Sequence, residues 1–407
     1  MRKFGTVAYG IRTPIIHKGD DLVDITARSL SDAVNEHGLQ LKPGDILGIT
    51  EAVVAKSMGN YASLNDIGAD VRRKFSIPND NLELGVVFPI LSRNRFLSLL
   101  KGITRGADKV YVLLSFPFDE VGNPVMDKET AFNLKDELSG LMSAEEFTQK
   151  IGGRFIHPFT DVDYIDLYQS VADNVEVYFS NDCRDILKLT KNVLCADIHT
   201  RDFTKRILEK AGANKILTLA DILDEPGNNH GYNEKYGLLG SNLATDETVK
   251  LFPRDCEGFL EKLRTRVAKD LGVEIEMLVY GDGAFKDPVC GIWELADPVV
   301  AVACTPRLTG TPQEIKIKHA ADILADEFKG KDKDNAIKEM VRFKSKGYAA
   351  GTTPRKYADL VGSLCDLMSG SGDKGTPIIL IQGYFDNYAD EDGFGSIKKQ
   401  AHAKHAL

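Results

Sequence analysis

The stretch Tyr280-Gly281-Asp282-Gly283-Ala284-Phe285-Lys286-Asp287-Pro288 holds residue types that could do phosphate or metal chemistry. An apolar run over 275–279 leads into it. A carboxylate between two glycines at a strand end lets a hard cation or a phosphate approach the backbone closely. The same dipeptide also makes a plain Asp-Gly turn, its commoner meaning. Lys56, between an apolar segment and a glycine turn, reads as a phosphate contact or as a solvated lysine. Ser92-Arg93-Asn94-Arg95 opens a helical pattern with Ser92 as a candidate N-cap, so the arginines face an anion or merely water. Asp197, His199 and Asp202 cluster near a strand end, as a metal or phosphate site or as an ordinary polar loop.

These residues need elements to hold them. Leu22, Ile25, Leu30 and Val34 recur at roughly helical spacing, with Asp20 or Asp21 placed to cap the helix. Pro43-Gly44-Asp45 turns the chain into a buried strand over 46–50. Helices are predicted over 65–75, 94–105 and 256–271, and a strand over 110–115 that ends at the polar turn 119–124. Strands over 175–180, 193–198 and 215–219 alternate with helices over 182–191 and 202–211, which argues for a small parallel α/β unit. That unit lacks a G-x-G-x-x-G loop, which weighs against a dinucleotide there. Residues 313–345 read as helical, with an exposed turn at 329–334; a helix over 357–368 and a strand over 376–384 close the pattern before a polar tail.

The 407 residues suffice for two or three lobes. A net charge of -9 argues against a generic nucleic-acid or anionic-membrane binder. No window approaches the roughly 18 apolar residues of a membrane span, and no secretory signal is visible, so a cytoplasmic setting is expected. The six cysteines are scattered without a C-x-x-C pair, which speaks against a zinc or redox motif.

Several segments occur in an order that resembles the coenzyme F420-0:L-glutamate ligase (γ-glutamyl ligase) family. They are Gly10-Ile11-Arg12 with Gly19-Asp20-Asp21-Leu22, then Pro43 to Thr50 with Lys56 and Gly59, then Leu239-Gly240-Ser241-Asn242 with Leu251-Phe252-Pro253-Arg254-Asp255. Gly281 to Lys286 and the close from Tyr357 to Gly383 complete the series. The resemblance implies an α+β fold, a mixed-sheet ligase core split over 1–124 and 231–390, with an inserted α/β unit at 125–230 and a tail at 391–407. It also implies an intertwined homodimer. Three positions depart from the family pattern: a metal carboxylate falls on Leu239, a second metal contact on Gly283, and a lysine on Ala52. The metal site is then rebuilt from Asp282, Asp287, Glu294 and Asp297, or from Glu234 and Asp119, or it is lost.

The chemistry implied is amide ligation driven by ATP or GTP. A γ-phosphoryl group passes to an acceptor carboxylate, and L-glutamate displaces phosphate from the acyl phosphate. Such a reaction needs Mg²⁺ or Mn²⁺ on carboxylates and cations on the phosphates. Asp282 is the expected metal ligand, with Asp287 and Glu294 as candidates to complete the site, and Asp282, Lys286 and Lys56 form the expected catalytic set. Nucleotide contacts fall on Arg12, Lys56, Ser241, Asn242, Gly281 and Gly283. Arg93, Arg95 and Arg254 are placed for an acidic small-molecule acceptor or the glutamate carboxylates, since a guanidinium fork fits a carboxylate. The alternative is a non-catalytic nucleotide- or metabolite-binding protein that kept the fold and lost the metal. A third reading puts nucleotide or phosphate-ester binding in the α/β unit, and a pocket at its strand ends would favour it.

Overall fold

A computed structural model describes residues 4–389 apart from 76–80, 93–94, 155, 158–160, 228–229, 283–284, 287–292, 295–296, 325–328, 343–351 and 370–372, and only the backbone of 285–286 and 293–294. Helices and mixed sheets make an α+β fold of two units.

The first unit comprises Met1–Ser57, Asp255–Gly283 and Val299–Leu407. Its sheet runs in the order Val7–Ile11, Ile378–Gln382, Ile46–Thr50, Glu276–Tyr280, Ala301–Cys304. Ile46–Thr50 and Glu276–Tyr280 are parallel, with Thr50 opposite Tyr280; the other pairings are antiparallel. The central strands are apolar throughout because both faces are covered. Ile46, Leu278, Tyr280, Ile379 and Ile381 pack on the helix Tyr357–Ser369 through Val361 and Cys365. Leu47, Ile49, Met277, Val279 and Leu380 alternate with them and are equally buried. The helix Cys256–Leu271 packs on Glu276–Tyr280 and against Leu22–Glu36. Gly48 sets how closely Tyr357–Ser369 can approach: a Cβ there would lie 2.4 Å from Cys365 Sγ.

The second unit comprises Met58–Arg254 and Ala284–Pro298. Its six-stranded sheet has the order Met142–Ser143, Val175–Phe179, Lys109–Leu114, Glu83–Val87, Asn192–Cys195, Lys215–Thr218. All pairings are parallel except that of Met142–Ser143. The chain starts at Glu83–Val87, winds outward through Lys109–Leu114 and Val175–Phe179, then returns to the other side for Asn192–Cys195 and Lys215–Thr218. This is a doubly wound sheet whose order reverses between Glu83–Val87 and Asn192–Cys195, a topological switch point. The helices Leu64–Phe75 and Phe96–Gly106 lock together at glycines. A Cβ on Gly106 would lie 2.4 Å from the Gly68 carbonyl oxygen, and one on Gly102 would lie 2.8 Å from Ile67 Cβ. A separate small sheet joins Tyr61–Ser63, Thr248–Lys250 and Asn242–Thr245.

Three expectations need correction. The unit expected at 125–230 shares its sheet with Glu83–Val87 and Lys109–Leu114, so the boundary after residue 124 cuts through a single sheet. The polar turn at 119–124 folds back onto the strand ends, with Asp119 accepting from Leu91 and Glu120 from residues 198–200. The helix predicted over 182–191 is a short 3₁₀ segment, Cys183–Lys188. The turn expected at 329–334 belongs, from Gly330 onward, to the helix Gly330–Arg342. The expected tail falls outside the described residues.

Candidate functional site

A small, mostly apolar cavity of about 20 Å³ lies at the switch point of the second unit. One wall is the segment leaving Glu83–Val87, with Ile90, Ser92, Arg95, Phe96 and Leu99. Ala196 and Ile198, just beyond Asn192–Cys195, form a second wall, and Leu219, Leu238, Leu239, Gly240 and Ser241 a third. Crevices outside the carboxyl ends of parallel strands, where the order reverses, are where doubly wound sheets bind ligands.

The first wall is tightly held. Phe88 follows its strand with a φ of 54°, a left-handed conformation that a bulky side chain rarely adopts. Its N–H still donates to the Leu113 carbonyl at 2.9 Å. Tyr168 Oη donates to the Ile90 carbonyl at 3.1 Å, and the Leu91 N–H to Asp119 Oδ2 at 2.8 Å. The Arg95 N–H donates to Ser92 Oγ at 3.1 Å. Arg95 therefore stands at the amino end of an 11-residue helix that is itself wedged by glycines. Its Nη1 donates to Asp297 Oδ1 at 2.5 Å. The arginine side chain is 20% exposed and the aspartate 2%.

The third wall depends on two buried asparagines. Asn60 donates to the carbonyls of Tyr232, at 3.0 Å, and Phe252, at 2.6 Å, and accepts from the Tyr232 N–H. Asn233 donates to the Pro253 carbonyl at 2.9 Å and accepts from the Tyr236 N–H at 2.8 Å. They fix the turn over 237–241, in which Gly237 and Gly240 have positive φ. A Cβ on Gly240 would strike the Phe252 ring at 2.5 Å. Ser241 Oγ donates to the Leu238 carbonyl at 2.7 Å.

The other anion-binding feature at this edge is already filled. Glu120 accepts the N–H groups of Ile198, His199 and Thr200, the last at 3.2 Å, ahead of the helix Arg201–Lys210. A carboxylate thus sits where a phosphate would meet the helix N-terminus. Asp197 lies beside it, fully buried, with Oδ2 accepting from Thr200 and Thr204, each at 2.7 Å. Burial pushes the carboxyl of Asp197 up to about 6, with the Glu120 charge adding to the shift. Burial likewise raises Asp119 to about 6 against the lowering by four hydrogen bonds from Leu91, Val121 and Asn123.

The sequence-predicted residues divide as follows. Arg95 and Ser241 meet at the cavity, and Asn242 follows Ser241 at the start of a strand. Arg254 stacks its guanidinium 4.4 Å from the Tyr232 ring centre. Arg12 and Lys56 are exposed in the first unit; Lys56 occupies the last turn of the helix Glu51–Met58. Gly281 is buried, its N–H donating to the Val300 carbonyl at 2.8 Å, and Asp282 is half-buried after it. Lys286 and Glu294 lie on a two-strand ladder, paired with Trp293 and Phe285. Arg93, Gly283 and Asp287 lie outside the described residues, as do the side chains of Lys286 and Glu294.

Among the described residues, which leave out Asp287 and the side chain of Glu294, no metal centre is assembled. Leu239, where the sequence resemblance puts a carboxylate, is 1% exposed in an apolar wall. Of the candidates for rebuilding, Asp297 is paired with Arg95, Asp119 fastens a loop and Glu234 is exposed. Among the described residues no group of three His, Cys, Asp or Glu could hold a metal ion. Asp197, His199 and Asp202 make no such group. Sequence reading missed Glu120, Asn60 and Asn233. Glu120 and Asn60 act across long sequence separations, whereas Asn233 reaches Pro253 20 residues on and Tyr236 three residues on.

Among the described residues no helix is long and apolar enough to cross a membrane. No curated protein matches the chain. Residues 10–383 match the family model for F420-0:gamma-glutamyl ligase, and the chain belongs to that family.

Proposed function

We propose that this chain is a nucleotide-dependent amide ligase that joins L-glutamate, or a similar amino acid, to a carboxylate of an acidic small molecule. Family membership across residues 10–383 carries this reading. The acceptor carboxylate oxygen attacks the γ-phosphorus of ATP or GTP, and the bond to the leaving diphosphate breaks. The amino nitrogen of glutamate then attacks the acyl carbon, expels inorganic phosphate and loses a proton. Lys56 and Lys286 offset phosphate charge, as cations do in phosphoryl transfer. Arg12, Ser241 and Asn242 hydrogen-bond the nucleotide, and Gly281 and Gly283 let it approach the backbone. Arg93, Arg95 and Arg254 receive the carboxylates of acceptor and glutamate. Mg²⁺ or Mn²⁺ would neutralise several phosphate charges at once. Asp282, Asp287 and Glu294 would hold it. A cytoplasmic homodimer is part of the proposal.

The buried Leu239 and the carboxylate in the helix-end site favour a second reading, a nucleotide- or metabolite-binding protein without turnover. Nucleotide hydrolysis with Mg²⁺ or Mn²⁺, glutamate and a panel of acidic acceptors separates them. The ligase reading expects phosphate release that needs both glutamate and an acceptor. Nucleotide binding with no release for any acceptor leaves the second reading, and neither binding nor release rejects both.

A further inference from the structure

We propose that the first unit holds a second small-molecule site, between residues 315–317 and the aromatic cluster of Tyr357, Tyr384 and Phe385. Its ligand is a flat, uncharged heteroaromatic molecule with hydrogen-bond acceptors on its edge. The proposal goes beyond the ligase reading and does not rest on it.

The site lies at the end of the first unit's sheet away from Asp282. Ile381 pairs with Ile46, so the segment after Gln382 emerges where Ile46–Thr50 begins. Asp282 follows the other end, where Thr50 stands opposite Tyr280. The chain leaves this core after Gly310 and is back at Tyr357, whose N–H donates to the Gly310 carbonyl at 3.0 Å. Within that excursion the helices Ile317–Ile323 and Gly330–Arg342 pack on each other through Ala320 and Ile337. The Glu314–Arg355 ion pair, at 2.6 Å, and a 2.9 Å hydrogen bond from Arg342 Nη2 to the Ala389 carbonyl fasten its base. A cavity of about 460 Å³ stays open between that base and the core, inside the range of about 300–1,000 Å³ typical of small-molecule sites.

The excursion lines the cavity with aliphatic groups, Ile315, Ile317 and Val341, and the core lines it with Tyr357, Tyr384 and Phe385. These three rings lock edge to face with centres 5.3, 5.8 and 6.3 Å apart, and the Arg307 guanidinium covers Phe385 at 3.9 Å. Rings packed this closely leave no cage between them for an organic cation. Both tyrosines are half-buried. Burial raises both phenols, Tyr384 to about 12, and the Glu314 charge adds to each shift. They keep their protons at neutral pH and can donate. Among the described residues neither hydroxyl has a hydrogen-bond partner, so the ligand must bring acceptors. The charged lining is balanced: Glu314 is paired with Arg355, and Lys316 and Asp386 add one charge of each sign. An ionic ligand therefore gains nothing over a neutral one.

Calorimetric titration of the full chain tests this with three probes. Caffeine is a flat ring with edge carbonyls, indole a flat ring without an acceptor, and tetramethylammonium a bare organic cation. Caffeine is expected to bind saturably, indole at least about fivefold more weakly, and tetramethylammonium not at all. Tyr357→Phe and Tyr384→Phe keep the rings and break no hydrogen bond among the described residues, so both should melt with the wild type. Each is expected to weaken caffeine by about fivefold, the share of one hydrogen bond, and to leave indole unchanged. Caffeine should also slow hydrogen exchange in peptides covering 314–317 and 383–388. Should either variant melt early, that protection in the wild type still decides, and its absence rejects the site. No caffeine binding, indole binding as tight as caffeine, or caffeine binding unchanged in both variants would overturn the proposal. Tight tetramethylammonium binding would make this a cation site and overturn it too. Displacement of caffeine by ATP or GTP would show that the cavity takes the base of the reacting nucleotide, which overturns a second site and leaves the ligase reading standing. Caffeine bound as expected without any glutamyl transfer would reject the ligase reading alone.

Discussion

The two units end their parallel strands in opposite ways. In the first unit the Ile46–Thr50 and Glu276–Tyr280 strands deliver Gly281 and Asp282, while its candidate cations Lys56 and Arg12 stand in water. In the second unit the strand ends are rich in buried charge, and the chain answers it with its own groups: Arg95 with Asp297, Glu120 with three backbone N–H groups. Exposed charges are inexpensive to keep and can wait for a polyanion such as a nucleotide. Buried charges must be paired before any ligand comes, so a site made from them is pre-organised and self-occupied.

That contrast can be broken most severely at Leu239. Leu239→Asp sets a carboxylate in an apolar wall. We expect a loss of about 3–5 kcal/mol in denaturant unfolding, from an unpaired buried charge. A stable variant that gains Mn²⁺ affinity would instead make the second unit's edge a metal centre lacking one ligand.

The second unit also holds Asp119 and Asp197, both raised to about 6 from 3.8. A folded carboxyl that keeps its proton above the unfolded value contributes stability at low pH and loses it as pH rises through the folded value. Each shift of roughly two units is worth at most about 3 kcal/mol. Hydrogen exchange of Asn192–Cys195 and Lys109–Leu114 should therefore quicken between about pH 4 and pH 7, and Asp197→Asn should remove its share of that slope. A unit that becomes more protected over this window would contradict the assignment.

In the first unit the sensitive place is packing, not charge. Gly48→Ala sets a methyl group against Cys365 and Tyr280, and should cost about 1–3 kcal/mol through overpacking. Arg12→Ala and Lys56→Ala should each change stability by less than about 0.5 kcal/mol while weakening nucleotide binding. Thermal melts and a fluorescent nucleotide titration separate these effects. A large stability loss at Lys56 would mean that its charge is structural.

How much of this was legible in sequence follows the range of each interaction. Apolar runs such as Ile46–Thr50 and Lys109–Leu114 announce buried strands locally, and the spacing in Leu22–Glu36 and Cys256–Leu271 announces helices. Ser241 and Arg95 were visible as types beside turns, but their meeting was not. Asp297 looked like a metal ligand because its partner lies 202 residues away. The boundary after residue 124 followed from the family resemblance, and the polar turn at 119–124 does not announce what it holds; only the fold shows Asp119 on Leu91 and Glu120 on 198–200. Leu239 was read as a departure from the family pattern, and its apolar surroundings, which decide what an apolar residue does there, are set by segments far from it in sequence.

The central claim is that this family member forms an amide through a carboxylate gripped by Arg95. Mass spectrometry of a reaction with ATP or GTP, Mg²⁺ or Mn²⁺, L-glutamate and an acidic acceptor panel tests it most directly, with wild-type protein and Arg95→Gln side by side. The prediction is a glutamyl conjugate formed together with equimolar nucleoside diphosphate and phosphate, and lost in Arg95→Gln. A conjugate formed equally by both proteins, or none with any acceptor despite bound nucleotide, would contradict it.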